Sequence, residues 1–169
     1  MSIDTLALIP ARGGSKRVPR KNIQEVAGKP LIAHTIGQAK AAKEVDRAII
    51  STDSDEIARV ARGFDGDVPF IRPKELATDT APAAGVMSHA LDWAAEHDKE
   101  YDIICSLQVT SPLRKPRDID GAITQLIDSE AMSCVSITGY ITPPQWAVTI
   151  DEQKNIREFF QNGALWDDE

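Results

Sequence analysis

The sequence predicts an α/β domain, a doubly wound and mostly parallel sheet, carrying a C-terminal β-hairpin arm. Five short apolar runs alternate with stretches of helical periodicity between Thr5 and Thr138, the pattern of βαβ units whose helices cover both faces of a sheet. The rhythm then breaks at Thr142-Pro143-Pro144, beyond which two alternating segments flank a turn. A third observation places the ligand: a glycine-containing basic loop follows the first apolar run, and open α/β sheets bind ligands outside the carboxyl ends of their strands.

Thr5 to Ile9 reads as a fully buried strand, and the basic loop runs from it to about Asn22. After a connector through Gly28-Lys29-Pro30, a helix buries Leu31, Ile32, Thr35, Ile36 and Ala39, with Pro30 at or near its first position. Val45 to Ser51 is the second strand. Ser54 can cap the next helix, in which Ile57, Val60, Ala61 and Phe64 repeat at helical spacing. Val68 to Ile71 is a short third strand, followed by a loop from Arg72 to Pro82 and a long helix with Val86, Met87, Ala90, Leu91 and Ala94 inward. Asp102 to Leu107 is the fourth strand. A polar loop, Gln108 to Arg114, leads to a helix from about Pro116 that buries Ile119, Ile123, Leu126 and Ile127, and Ser133 to Thr138 is the fifth strand. The predicted division is an α/β nucleotide-binding domain over residues 1–139 and a hairpin arm over 140–169. Trp146 to Ile150 and Ile156 to Phe160 form that hairpin, and its aromatic residues suit a subunit contact.

Arg12, Lys16, Arg17, Arg20 and Lys21 crowd around Gly13-Gly14 and Ser15. Adjacent glycines let backbone N–H groups approach an anion with no Cβ in the way, and the cations neutralise it, so the loop is built for a polyphosphate. It matches neither the G-x-x-x-x-G-K-[ST] nor the G-x-G-x-x-G spacing, which disfavours a P-loop NTPase or a dehydrogenase. Three further strand-end loops offer polar groups: Ser51 to Asp55, Arg72 to Thr80, and Gln108 to Arg114, in which Gln108 and Thr110 suit a polyol. The chain carries a net charge of −7, yet residues 1–40 hold seven cations and two acids. The excess of positive charge is local to the first loop while the rest of the chain is acidic, which argues against an extended nucleic-acid face and favours a small anionic ligand.

Cys105 and Cys134 lie in apolar runs without metal-ligand spacing, and read as core thiols. No apolar segment reaches the length of a membrane span, so a cytoplasmic protein without membrane partners is expected. His34, His89 and His97 all fall on predicted helices, away from any nucleophile signature. What remains is polyphosphate positioning with electrostatic stabilisation, the requirements of phosphoryl or nucleotidyl transfer.

The stretch Ile9-Pro10-Ala11-Arg12-Gly13-Gly14-Ser15-Lys16-Arg17-Val18-Pro19-Arg20-Lys21-Asn22-Ile23 resembles the N-terminal signature of the acylneuraminate cytidylyltransferases, the CMP-sialic acid synthetases. Ser51-Thr52-Asp53, Arg72-Pro73-x-Glu75-Leu76-Ala77-x-Asp79-Thr80 and Leu107-Gln108-x-Thr110-Ser111-Pro112-Leu113-Arg114 resemble that family's later motifs, in order. The related Kdo enzymes share the start but continue to Leu-Pro-Gly-Lys, where this chain has Val18-Pro19-Arg20-Lys21. The resemblance implies a nucleotide-diphospho-sugar transferase fold and transfer of CMP from CTP to a nonulosonic acid of the sialic acid class, with release of pyrophosphate, a requirement for Mg²⁺ and a homodimer.

By the same resemblance Arg12, Lys16 and Lys21 are catalytic, binding the CTP phosphates with Gly13, Gly14 and Ser15. Asn22 contacts the nucleotide, Arg72 lies against base or phosphate, and Gln108 and Thr110 contact the sugar acid. Val109 stands where proline is expected, and Pro82-Ala83-Ala84 where small hydroxyl residues are, which leaves the sugar among N-acetylneuraminate, pseudaminate and legionaminate. The family is expected to continue past Glu169 with its metal-binding aspartates, so the metal ligands stay unassigned. The alternative expectation is a shortened homologue that binds CTP or CMP without efficient turnover.

Overall fold

The computed structural model describes residues 3–16, 18–139 and 147–159. They belong to two compact units, Met1–Cys134 and Val135–Glu169, a division five residues earlier than the pattern change suggested.

The first unit is built on strand β1 (Thr5–Pro10), whose side chains are buried on both faces. A strand apolar on both sides belongs at the centre of a covered parallel sheet, and β1 sits there, between β4 (Arg47–Ser51) and β5 (Ile103–Ser106), both parallel to it. Leu8 pairs with Ile49 on one side and Leu6 with Ile104 on the other. The alternation of β1 divides the core. Ala7 and Ile9 pack with helices α1 (Leu31–Ala41), α2 (Asp55–Arg62) and α4 (Pro116–Asp128) on one face, and Leu6 and Leu8 pack with α3 (Ala83–His97) on the other. The predicted fold class therefore holds.

The helices begin where their sequences allow. α1 and α3 follow Pro30 and Pro82 directly, and Pro116 opens α4, positions where a missing N–H costs nothing. Ser54 caps α2 by accepting from the Ile57 amide at 3.4 Å. A two-residue ribbon, β2 (Glu25–Val26) with β3 (Lys29–Pro30), turns through Ala27 and Gly28, both at positive φ.

Two expected strands are absent. Residues 67–71 follow the outer edge of β4, but their backbone pairing there is limited to the isolated bridges Ile49–Asp67 and, just past the strand, Thr52–Ile71; Arg47 of β4 also donates to the Asp67 carboxylate. Pro69, in the middle, has no N–H to donate, so a continuous ladder cannot form. Ser133 to Thr138 takes no strand either, and Val135 and Ile137 are exposed. Its alternation has strand propensity, but a strand exists only where it pairs. Cys105 is partly buried as expected, whereas Cys134 is exposed.

The second unit contains an antiparallel hairpin, β6 (Val148–Ile150) with β7 (Ile156–Glu158). Its turn is organised by Asp151, whose carboxylate accepts from the amides of Gln153 and Asn155, with Lys154 at positive φ. Thr142-Pro143-Pro144, Trp146 and Phe160 lie outside the described residues.

Candidate active site

The basic loop leaves β1 at the carboxyl edge of the sheet and is shaped by its neighbours. Ser15 N donates to Gly13 O at 2.9 Å, closing a tight turn, and Asn22 Nδ2 donates to Arg12 O at 2.9 Å across the loop. Gly13 N donates to Asp53 Oδ1 at 2.8 Å. A Cβ on Gly13 would lie 3.1 Å from that of Ser54, so the close approach of loop and β4–α2 turn favours glycine, and a larger residue would have to push Ser54 aside by a few tenths of an ångström. Arg20, at φ 55°, reaches Glu56 of α2 in an ion pair. The loop is thus fastened near both ends to the turn between β4 and α2.

A cavity of about 280 Å³ opens at the carboxyl ends of β1 and β5. Arg12, Ser15, Lys21, Asn22, Arg72, Gln108 and Thr110, all candidates from the sequence, lie in its wall. A neighbouring groove is lined by Gly13, Gly14 and Lys16, the remaining candidates, and shares Arg12 and Ser15 with the cavity. Every candidate residue is therefore gathered around two adjoining hollows.

Arg72 is the least expected of these side chains in its setting. It is 4% exposed, and its guanidinium donates to Ser51 O at 3.0 Å and to Leu76 O at 3.4 Å, while its Nε is buried without a hydrogen-bond partner. Burial pushes the guanidinium below the ordinary arginine range; Asp53 opposes that shift and Arg12 adds to it. A buried cation with no carboxylate bonded to it is costly to the fold. It is what an anionic ligand would repay.

Gln108, Val109 and Thr110 enter a turn that Ser111 N closes by donating to Gln108 O at 3.3 Å: Val109 is buried in the core, and Gln108 and Thr110 are exposed and line the cavity. The loop is held by Arg114, which donates to Gln108 O at 2.8 Å, and by Gln38 of α1, which donates to Pro112 O at 2.7 Å.

Sequence reasoning did not single out Asp79, although it flagged the segment that contains it. Arg12 Nη2 lies 2.7 Å from Asp79 Oδ1, and Lys16 pairs with the other carboxylate oxygen. The hydrogen bonds from Lys16 and then Arg12 hold that carboxyl below the usual carboxylate range. Asp53, noted in the sequence only as part of a polar strand-end loop and a family motif, accepts from the basic loop's backbone. The apolar wall of Leu8, Val86 and Met87 also carried no sequence signal, since these positions read simply as core.

Among the described residues no group of three His, Cys, Asp or Glu side chains is placed to hold a metal. Asp79 is the cavity's one carboxylate and already meets two cations, so this donor set does not fit a resident Mg²⁺. His34, His89 and His97 stay outside the cavity: His34 meets Val26 O, His89 packs edge-on to Phe70, and His97 stacks on Trp93. No helix among the described residues is long and apolar enough to cross a membrane.

A parallel sheet with helices on both faces, and a basic glycine loop with a buried arginine at its carboxyl edge, define a nucleotidyltransferase-type α/β protein. The structural likeness agrees. The solved CMP:2-keto-3-deoxy-manno-octonic acid synthetase complexed with CTP superposes with a TM-score of 0.63 at 25% identity, over 76% of this chain and 49% of that one. The family described as "Cytidylyltransferase" matches residues 6–165, and the chain belongs to it. It is 40% identical over 163 residues to the CMP-N,N'-diacetyllegionaminic acid synthase of Legionella pneumophila, covering 95% of this chain and 70% of that protein. It is 34% identical over 154 residues to the pseudaminic acid cytidylyltransferase of Campylobacter jejuni, covering 91% and 66%. The N-acylneuraminate cytidylyltransferase of Escherichia coli is 33% identical, with 98% of this chain and 42% of that protein covered. The chain spans about two thirds of the length of the first two relatives.

Proposed function

We propose that this chain carries the nucleotide site of a cytidylyltransferase that moves CMP from CTP to a nonulosonic acid and releases pyrophosphate. The observation that supports this best is the convergence of Arg12, Lys21 and the buried Arg72 on one cavity that also has Gln108 and Thr110 in its wall. The relatives named for legionaminic, pseudaminic and N-acylneuraminic acids support the acceptor class. The basic loop holds the triphosphate: Gly13, Gly14 and Ser15 bring the backbone close to it with little side chain in the way, while the Gly13 and Ser15 amides, bonded to Asp53 and to Gly13 O, fix the loop's shape, and Arg12, Lys16 and Lys21 offset its charge. Arg72 meets the base or phosphate, Asn22 keeps the loop closed, and Gln108 and Thr110 orient the sugar acid.

In the reaction the sugar's anomeric oxygen bonds to the α-phosphorus as the bond from that phosphorus to the α,β-bridging oxygen breaks. The hydroxyl proton passes to water. Charge grows on the departing pyrophosphate, where cations fixed in advance lower the barrier without reorganising, and holding acceptor and phosphate in line removes an entropic cost. A Mg²⁺ bound to the nucleotide would offset further phosphate charge, and among the described residues no set of side chains is placed to hold it.

The protein works in the cytoplasm as a homodimer. Val148, Ile150 and Ile156 leave apolar surface exposed on the hairpin, which supports a contact between copies. Pyrophosphate release with CTP, Mg²⁺ and a panel of nonulosonic acids, beginning with N,N'-diacetyllegionaminic acid, tests the reading. Release with one acid identifies the acceptor. CTP binding without release from any acid would instead mark a shortened homologue that retains only the nucleotide site.

A further inference from the structure

The cavity and the groove share a wall made of Arg12, Ser15, Thr78 and Asp79, and among the described residues Asp79 is the single acid lining either hollow. Its two oxygens are divided between Arg12 and Lys16, one cation at each oxygen. A carboxylate gripped in this way presents charge and acceptor oxygens to the same donors that would take a phosphate. It comes from the segment after Arg72, not from the basic loop, so two segments far apart in sequence meet at this ion triad. While the triad is closed, Asp79 stands at the junction of the nucleoside-sized cavity and the groove beside the glycines.

We propose that Asp79 is the resident counter-ion of the phosphate site: in the nucleotide-free protein its carboxylate substitutes for a phosphate group between Arg12 and Lys16, and a polyphosphate must displace it. The inference rests on the reading of this site as one for polyphosphate. It has two consequences. The cations are held near their working positions before the ligand arrives, and every ligand that reaches both of them binds more weakly by the cost of breaking the triad. Displacement also joins the cavity to the groove, giving a continuous channel for a nucleoside and its phosphate chain.

The test is Asp79→Asn, which keeps the shape and removes the charge, with Asp79→Ser as a second variant. Calorimetric binding of CTP and of inorganic pyrophosphate is measured for each beside the wild-type protein. Two partly exposed ion pairs correspond to a tightening of about three- to tenfold for both ligands at low salt, shrinking toward none at about 1 M salt as the triad is screened. Affinity that is unchanged or weaker in both variants, with an unaltered thermal transition, would overturn the proposal. Weaker binding would make Asp79 a ligand-holding group instead of a competitor. The pyrophosphate arm separates the two readings: a wild-type protein that binds pyrophosphate and not CTP would remove cytidylyl transfer, yet the asparagine variant must still bind pyrophosphate more tightly.

Discussion

Replacing Arg72 with methionine separates a cation kept for a ligand from one kept for the fold. The side chain is 4% exposed and methionine roughly matches its stem, so little packing is lost. The bond to Ser51 O at 3.0 Å disappears, and a charge-assisted hydrogen bond contributes about 1.5–3 kcal/mol. Ser51 O is not orphaned, because it still accepts from Ala11 N at 2.9 Å. Against that loss, the variant no longer buries a cation without a bonded carboxylate, a penalty of several kcal/mol. The opposed effects leave ligand-free stability within about 1.5 kcal/mol of wild type.

Binding has no such compensation. Loss of a charged hydrogen bond to an anion weakens CTP by roughly 10- to 150-fold. At a CTP concentration of about 100 times the wild-type Kd, bound nucleotide stabilises the wild-type protein by about 2.7 kcal/mol; a hundredfold loss reduces that to about 0.4 kcal/mol. Urea denaturation with and without CTP measures both quantities on one sample. A ligand-free loss above about 3 kcal/mol would show that Arg72 is a structural clamp between Ser51 and Leu76. An undiminished CTP shift would show that the ligand never meets it.

Lys21→Ala should weaken CTP binding by tenfold or more with little change in stability, measured by calorimetry; unchanged affinity would remove the basic loop from the phosphate site. Gln108→Ala should lower kcat/KM for the sugar acid about tenfold while leaving CTP affinity within twofold, and an equal loss of both would contradict a role toward the acceptor. Tyr101 is pushed up to about 12 by burial first and then by the hydrogen bond it donates to Asp98. Because the folded value exceeds the unfolded one, near 10, its contribution is fully present below pH 10 and fades as pH rises toward 12. Tyr101→Phe should abolish that part of the alkaline stability slope, and a slope identical to wild type would mean the phenol titrates normally.

What the sequence made legible was whatever depends on local pattern. Leu6 to Ile9 could only be a strand covered on both faces, Pro30, Ser54 and Pro116 mark helix starts, and the run from Arg12 to Asn22 announces its anion without help from the fold. Pairing was not legible. Val68 to Ile71 and Ser133 to Thr138 have apolar alternation, but a ladder also needs a donor where Pro69 has none and a partner edge, neither of which is a property of the segment itself. Within the site, Asp79 and Asp53 were hidden for the same reason. Each acts on a residue about forty or more positions away, Asp53 on Gly13 and Asp79 on Arg12 and Lys16, and only the fold brings them together.

The fastening of the basic loop to the first turn of α2 sets how portable that loop is. Transplanted alone onto the end of a strand in another α/β scaffold, residues 12–22 would carry their charges and glycines but not their shape. The Gly13 amide would lack Asp53, and Arg20, in its left-handed conformation, would lack Glu56. The transferable module is discontinuous: two strand ends, the glycine loop from one, and from the other the Ser51 to Glu56 turn that grips it. Two pieces of chain far apart in sequence would have to be inherited, or engineered, as one part.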